Sequence, residues 1–186
     1  SDFCCAAKLV HESPDINAIL EKWGRKGDTA IQEHLPEQYA AQTELLKGVL
    51  PYWRMNDTNF TSGIANKNNA LGYHRDSGNF KGAWSVMFAF QRGIEGGLLS
   101  IPELDIALDF DQPTMLLFDG ARLLHGVSPI RLKTKHSYRY TVVFYALSGM
   151  AHCGTPAEEL NRIREVKTER ERARQNADEA KRRIKG

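Results

Sequence analysis

A chain of 186 residues that is 41% apolar is one ordinary domain with room for extensions. A formal net charge of +2 and a pI near 8.4 permit an anionic partner without demanding one, because so small an excess generates little field. No apolar run approaches the roughly 20 residues that a membrane helix needs, no charged-then-apolar signal opens the chain, and its first residue is Ser1, as in an excised domain.

Cys4 and Cys5 are adjacent and Cys153 stands alone, which argues against a disulfide scaffold. All three are expected as thiols in a reducing, intracellular compartment, cytoplasmic or nuclear. Residues 1–56 read as helical. Ser13-Pro14-Asp15 is a helix start, with Ser13 placed to cap, proline at the first helical position and an acid in the first turn. Ile16, Ile19, Leu20 and Trp23 then share one face. Pro36-Glu37 opens a second helix whose stripe is Tyr39, Leu45, Leu46, Val49 and Leu50, and Pro51 stops it.

Residues 57–148 change to short strands and turns. The pattern predicts strands at Thr58–Ile64, Ala70–His74, Trp84–Phe90, Gly97–Ile101, Asp105–Asp109, Thr114–Phe118, Leu123–His125 and Ser137–Leu147. Asn68-Asn69, Ser77-Gly78-Asn79, Gly96-Gly97, Gln112-Pro113 and Asp119-Gly120 punctuate them. Many short, closely spaced strands indicate a sandwich or barrel, and an eight-stranded jelly roll fits the count. The expected fold is therefore α+β and mainly β, a double-stranded β-helix core supported by N-terminal helices. From Pro156 the chain turns dense in Glu, Arg and Lys and reads as one polar helix. Ala173, Ala177, Ala180 and Ile184 recur at heptad-like intervals, so a docking arm stands beside the plainer reading of a solvated helix. The expected division is a domain over 1–156 and a charged tail over 157–186.

The chemistry concentrates at His74-Arg75-Asp76. On a strand, residues two apart face the same way, so an imidazole nitrogen and a carboxylate oxygen can meet one metal ion. His125, at the end of another predicted strand, supplies a third ligand. Two histidines and one carboxylate on one face of an octahedron leave three open positions, the arrangement of non-haem iron(II) oxygenases. Zinc would favour a closed tetrahedron or a cysteine ligand, and no cysteine lies near the motif. Taken alone, His74 is equally readable as a satisfied strand histidine.

Arg139 lies in Ser137-Tyr138-Arg139-Tyr140-Thr141-Val142-Val143-Phe144, among residues that should bury it. A buried guanidinium needs an anion. It grips a carboxylate with two parallel hydrogen bonds, and the distal carboxylate of 2-oxoglutarate is such a partner, with Thr141 on the same face as a further donor. An internal ion pair with an Asp or Glu is the competing reading.

In order along the chain stand His74-Arg75-Asp76, Gly96-Gly97-Leu98-Leu99-Ser100-Ile101-Pro102, Leu116-Leu117-Phe118-Asp119-Gly120, Leu124-His125-Gly126-Val127-Ser128-Pro129-Ile130 and Arg139-Tyr140-Thr141. Over about half the chain, from Asn59 to Leu147, this series resembles the catalytic core of the TET/J-binding-protein group of 2-oxoglutarate oxygenases. The triad is common to the oxygenase superfamily, whereas the Phe-Asp-Gly turn before the His-Gly-Val run is more particular to this group. The resemblance implies iron(II) held by His74, Asp76 and His125, 2-oxoglutarate clamped by Arg139 with Thr141, and dioxygen as co-substrate. It implies hydroxylation of the methyl group of a 5-methylpyrimidine, 5-methylcytosine or thymine, in nucleic acid, DNA in the first place. Asn79 falls where TET enzymes place an asparagine that contacts the target base, although Ser77-Gly78-Asn79 also reads as an ordinary turn.

Unlike animal TET enzymes, these residues include neither a cysteine-rich zinc-binding region nor a long insertion in the core. Nucleic acid would be gripped by local loops or the tail. Lys67, Arg75, Lys81, Arg92, Arg122 and Arg131 are candidates for a phosphate track, or simply solvated surface. Tyr73, Phe80 and Trp84 offer candidate stacking faces for an extruded base, with core packing the other role for Trp84. Two further readings stay open: a hydroxylase of a protein side chain or free amino acid, and a jelly-roll binding module without catalysis.

Overall fold

The computed structural model describes residues 3–185, with side chains described as far as residue 177. Three helices open the chain: α1 (Lys8–Glu12), α2 (Pro14–His34) and α3 (Pro36–Leu45). α2 begins at Pro14 with Asp15 in its first turn, but the Ser13 side chain makes no capping hydrogen bond. The fixed φ of Pro14 and the acid near the positive end of the helix dipole set the start instead. Leu20 and Trp23 pack inward as expected, whereas Ile16 and Ile19 remain 47% and 53% exposed. The buried face lies further on, at Gly24, Gly27, Asp28, Ala30 and Ile31, where small residues let the helix lie close to a sheet.

α3 gives way to single 3-10 turns at Leu46–Gly48 and Pro51–Trp53. Leu46 and Val49 are buried and Leu45 is exposed. Gln42, fully buried, ties the helix to the sheet. Its amide donates to Asn59 O at 3.0 Å and accepts from Trp84 N at 2.9 Å, so a buried polar group satisfies two backbone groups where α3 meets the core.

Nine strands follow: β1 (Ser62–Lys67), β2 (Ser85–Arg92), β3 (Ile94–Gly96), β4 (Leu99–Ile101), β5 (Ile106–Leu108), β6 (Thr114–Phe118), β7 (Gly126–Val127), β8 (Ile130–Leu132) and β9 (Tyr138–Tyr145). They form antiparallel sheets in the orders β1-β9-β2-β6, β5-β4-β7 and β3-β8. Six expected strands are present, with β1 displaced toward its C-terminal end. The segments Ala70–His74 and Leu123–His125 are not strands. They meet only in an isolated bridge between His74 and His125. β3 and β8, three residues each, carried too little pattern to be seen in sequence.

The large sheet is covered on both sides. Val86 and Phe144 pack with Phe60 and Ile31 beneath the helices. Met87, Ala89 and Phe118 pack with Leu99 and Phe110 between the sheets. Coverage on both faces removes the clean polar–apolar alternation of a half-solvated strand. A third cluster, Leu46, Val49, Trp53, Ala83, Ala146 and Cys153, closes one end.

Cys4 and Cys153 are joined by a disulfide with Cα atoms 5.9 Å apart, which corrects the expectation of three thiols. The N-terminal segment folds back onto the closing cluster, where Glu159 accepts from Cys4 N at 3.1 Å. That return across 149 positions is a tertiary event that cysteine spacing does not encode. Cys5 is free and exposed. The polar helix α4 runs from Pro156 to Lys185, and Ala180 and Ile184 of the heptad-like series lie outside the residues whose side chains are described. No described helix is long and apolar enough to cross a membrane.

Two α2 glycines make opposite predictions. A Cβ on Gly24 would sit 3.6 Å from the Phe144 ring, ordinary contact, whereas one on Gly27 would come within 2.8 Å of Val86 Cγ1. Gly24→Ala should stabilise by about 0.5–1 kcal/mol through helix propensity. Gly27→Ala should lose that gain to overpacking and destabilise by roughly 1–2 kcal/mol. Urea denaturation of both variants checks the opposite signs.

Candidate active site

His74 and His125 sit opposite each other in the antiparallel bridge, where His74 N donates to His125 O at 2.9 Å and His125 N to His74 O at 3.0 Å. Gly126 permits this approach, since a Cβ there would lie 3.0 Å from Tyr73 N. Asp76 follows in a turn and donates its backbone N–H to Gly120 O at 2.9 Å. The three side chains converge: Asp76 Oδ1 lies 3.5 Å from His74 Nε2 and 3.9 Å from His125 Nε2. The three side chains expected to share one face do meet, although the bridge and turn, rather than a strand, place them.

Each imidazole is oriented by its own backbone. His74 Nδ1 donates to Gly72 O at 2.8 Å and His125 Nδ1 to Leu123 O at 2.9 Å. A carbonyl can only accept, so Nδ1 is the donor in each ring and Nε2 is the nitrogen turned toward Asp76. This is the outer arrangement that metal-binding histidines use. His125 is 6% exposed, packed edge-on against Phe118. Donor atoms of all three residues lie within 4.8 Å of one another. Cis ligands about 2.1 Å from one ion would stand about 3 Å apart, so a small contraction completes the site. Two imidazoles and a carboxylate are a donor set that fits iron(II).

The triad opens into a pocket of about 360 Å³. β9 lines it with Arg139, Thr141, Val143 and Tyr145, one face of a strand at period two. Arg139 is 3% exposed, its Nε donates to Gly97 O at 3.1 Å, and it stands over the Phe110 ring. Its Nη2 is buried without a hydrogen-bond partner, and no carboxylate of the described residues pairs with it. Burial pulls the guanidinium below its ordinary pKa. The internal ion pair considered from sequence is therefore absent among the described residues, and an orphaned donor is left beside the pocket, as a site for a carboxylate requires.

Thr141 Oγ1 accepts from Asn66 Nδ2 at 3.4 Å, and Asn69 Nδ2 reaches Asn66 Oδ1 at 3.5 Å. This chain leaves the Thr141 hydroxyl proton free for a further acceptor. Asn79 is 7% exposed and lines the pocket. Its backbone N–H donates to Asp76 O at 2.9 Å, it bridges Leu147, and its side-chain amide has no partner among the described residues. Asn66, Asn69, Tyr145 and Phe110 were not read from sequence as site residues. The period-two face from Arg139 would have found Tyr145, whereas Asn69 read as loop punctuation with Asn68, and Asn66 lies in the part of β1 beyond the expected strand end at Ile64. Burial raises the Tyr145 phenol, and the nearby Asp76 carboxylate adds to this.

The supporting residues sort differently. Phe80 and Trp84 are partly buried in core clusters, which makes them packing groups, while Tyr73 is 62% exposed. Arg75, Arg122 and Arg131 are engaged in ion pairs with Glu103, Asp119 and Glu95. Lys67 lies over the Tyr140 ring.

Gly120 makes room for the carboxylate: a Cβ there would come within 2.4 Å of Asp76 Oδ2 and 3.0 Å of Phe118 Cε2. Gly120→Ala should cost the fold under about 1–2 kcal/mol, because a rotatable carboxylate gives way most easily. It should nevertheless weaken divalent-metal binding by at least about tenfold. Calorimetric metal titration alongside thermal melting separates the two effects.

The chain matches the Tet_JBP family, the oxygenase domain of the 2OGFeDO superfamily, over residues 10–148. It is 25% identical over 137 residues to the bifunctional helicase and thymine dioxygenase JBP2 of Trypanosoma brucei brucei (strain 927/4 GUTat10.1). That match covers 74% of this chain and 12% of the relative. Its fold is similar to NgTET1, solved in complex with 5mC DNA, at a TM-score of 0.60 and 20% identity, over 86% of this chain and 62% of that one. The chain thus spans less than two thirds of either protein. With the family matched across the helices, the triad and β9 alike, this chain belongs to the Tet_JBP oxygenase-domain family of the 2OGFeDO superfamily.

Proposed function

We propose that this chain is an iron(II)- and 2-oxoglutarate-dependent dioxygenase that hydroxylates the methyl group of a 5-methylpyrimidine in nucleic acid, DNA above all. The observation that carries the reading is one pocket holding both the His74/Asp76/His125 donor set and a buried Arg139 with an unpaired Nη2. The thymine dioxygenase relative and the fold neighbour bound to 5mC DNA support the substrate class.

The metal, with 2-oxoglutarate and dioxygen, supplies oxidation of an unactivated methyl C–H bond. His74 and His125 would hold it through Nε2 and Asp76 through a carboxylate oxygen. Arg139 would take the far carboxylate of 2-oxoglutarate in a two-pronged grip, with Thr141 donating its hydroxyl proton. Met87, Leu99, Phe118, Val127 and Val143 line the same space and exclude water from it.

A base stacked in a duplex cannot reach the triad, so it must be extruded or single-stranded. Asn79 stands three residues past Asp76 on backbone fixed by two contacts, and its free amide can both donate to and accept from a pyrimidine edge. We place the oxygenase unit at residues 1–156, with 157–186 as an appendage whose first turn docks through Glu159. Work on DNA puts the protein within the cell, in cytoplasm or nucleus, where thiol reductants act on the Cys4–Cys153 bond.

Mass spectrometry of nucleosides from methylated and thymine-containing oligonucleotides, incubated with iron(II), ascorbate and 2-oxoglutarate, tests the reading. Hydroxymethyl product is the expected outcome. Unchanged oligonucleotide, with succinate released from a peptide or amino-acid panel, would move the assignment to a side-chain hydroxylase. The ion pairing of Arg75, Arg122 and Arg131 is what favours that second reading.

Arg139→Lys keeps a charge but loses the fork, and should raise the KM for 2-oxoglutarate by about tenfold or more, about 1.4 kcal/mol. Asn79→Ala should slow oligonucleotide oxidation by an amount equivalent to about 1–3 kcal/mol. Iron and 2-oxoglutarate affinities, measured by anaerobic calorimetry, should stay unchanged in that variant.

A further inference from the structure

The metal-facing residues do not sit in a regular sheet. His74 belongs to an isolated bridge, Asp76 to a turn, and His125 ends the loop that follows Asp119. Outside a regular ladder, the two loops are joined by the His74–His125 bridge and by the bond from Asp76 N to Gly120 O, and a side-chain restraint adds to these few bonds. Arg75, between His74 and Asp76, supplies half of one. Its Nε donates to Arg122 O at 2.8 Å and its Nη2 pairs with Glu103 Oε1. Glu103 comes from a third segment, the 3-10 turn Pro102–Leu104 after β4. Its other oxygen, Oε2, accepts from Leu124 N at 2.6 Å, one residue before His125.

One carboxylate therefore spans the two loops that carry the triad, with one oxygen on each. The hydrogen bond from Leu124 N, followed by the Arg75 guanidinium, holds Glu103 below the usual carboxylate range. The pair is exposed, with side chains 47% and 40% accessible, so it contributes little to global stability. Its geometric effect is local and falls on the metal site.

We propose that Glu103 is a positioning residue for the metal centre, fixing the separation of His125 from His74 and Asp76 through Leu124 and Arg75. This rests on the metal-site reading given above. The test is anaerobic calorimetric titration of the full chain with iron(II), run beside thermal melting of the metal-free protein. The variants are Glu103→Ala, Glu103→Gln and Arg75→Met, and the double variant Arg75→Met/Glu103→Ala.

Glu103→Ala should weaken iron(II) binding by about tenfold. Its metal-free Tm should stay within about 4 °C of the parent. Glu103→Gln, which can still accept from Leu124 N, should recover part of that affinity. The double variant should be no weaker than the worse single one, because both residues act as one unit. Affinities within about twofold of the parent would overturn the proposal while leaving the metal site intact. So would a loss confined to variants whose metal-free Tm collapses. A parent chain that takes up no iron(II) would overturn the metal-site reading and this proposal with it.

Discussion

β9 is the strand from which the rest of the architecture hangs. It is hydrogen-bonded on one side to β1 along Ser62–Lys67 and on the other to β2 along Val86–Arg92. Its two faces then serve different purposes. Phe144 lies beneath α2 within the helix–sheet cluster, and Val142 packs at that cluster's margin. Arg139, Thr141, Val143 and Tyr145 look the other way, into the pocket. A strand pinned on both edges, with Phe144 buried on one face and Arg139 and Thr141 on the other, has little freedom to slip, because a one-residue shift would exchange the two sets. The β9 register thus fixes which side chains face the pocket.

Arg139 is a cation buried at 3% exposure with no carboxylate partner among the described residues. A guanidinium removed from water without a carboxylate partner is unfavourable, and among the described residues only Gly97 O and the Phe110 ring relieve it. Folding places this cation through the β9 register, so core packing offsets a local loss that a ligand carboxylate would recover. Gly97, at φ +72°, belongs to the same arrangement: a Cβ there would stand 3.1 Å from Arg139 Cδ. Gly97, just past β3, thus gives the side chain its room and, through its carbonyl oxygen, the one hydrogen-bond acceptor it has among the described residues.

The end of the pocket formed by His74, Asp76 and His125 is built on a different principle. Little regular ladder holds it, and its precision comes from reciprocal backbone bonds between His74 and His125, from Nδ1 bonds to carbonyls two residues back, and from glycines at 120 and 126. Asp28 does comparable work beneath the helices, accepting from Asn59 N at 2.8 Å and Tyr39 Oη at 3.0 Å. Burial raises the Asp28 carboxyl, and burial with the neighbouring Asp28 pushes Tyr39 up to about 12. In both places a small number of polar bonds does what ladders do elsewhere.

The sequence by itself determined the donor types and their order: His74, Asp76, His125, then Arg139 and Thr141 on one strand face. It also determined six of the nine strands, because period two and the turn residues are local signals. Tertiary structure decided what local signals cannot carry. It buried the far half of α2 rather than Ile16 and Ile19, since the sheet lies only under the glycine-rich stretch. It replaced two expected strands with one bridge and brought Cys4 to Cys153. It also assembled Asn66, Asn69 and Tyr145 around the pocket. Periodicity reports which way a residue faces along its own segment, whereas the partner it meets is set by where distant segments pack.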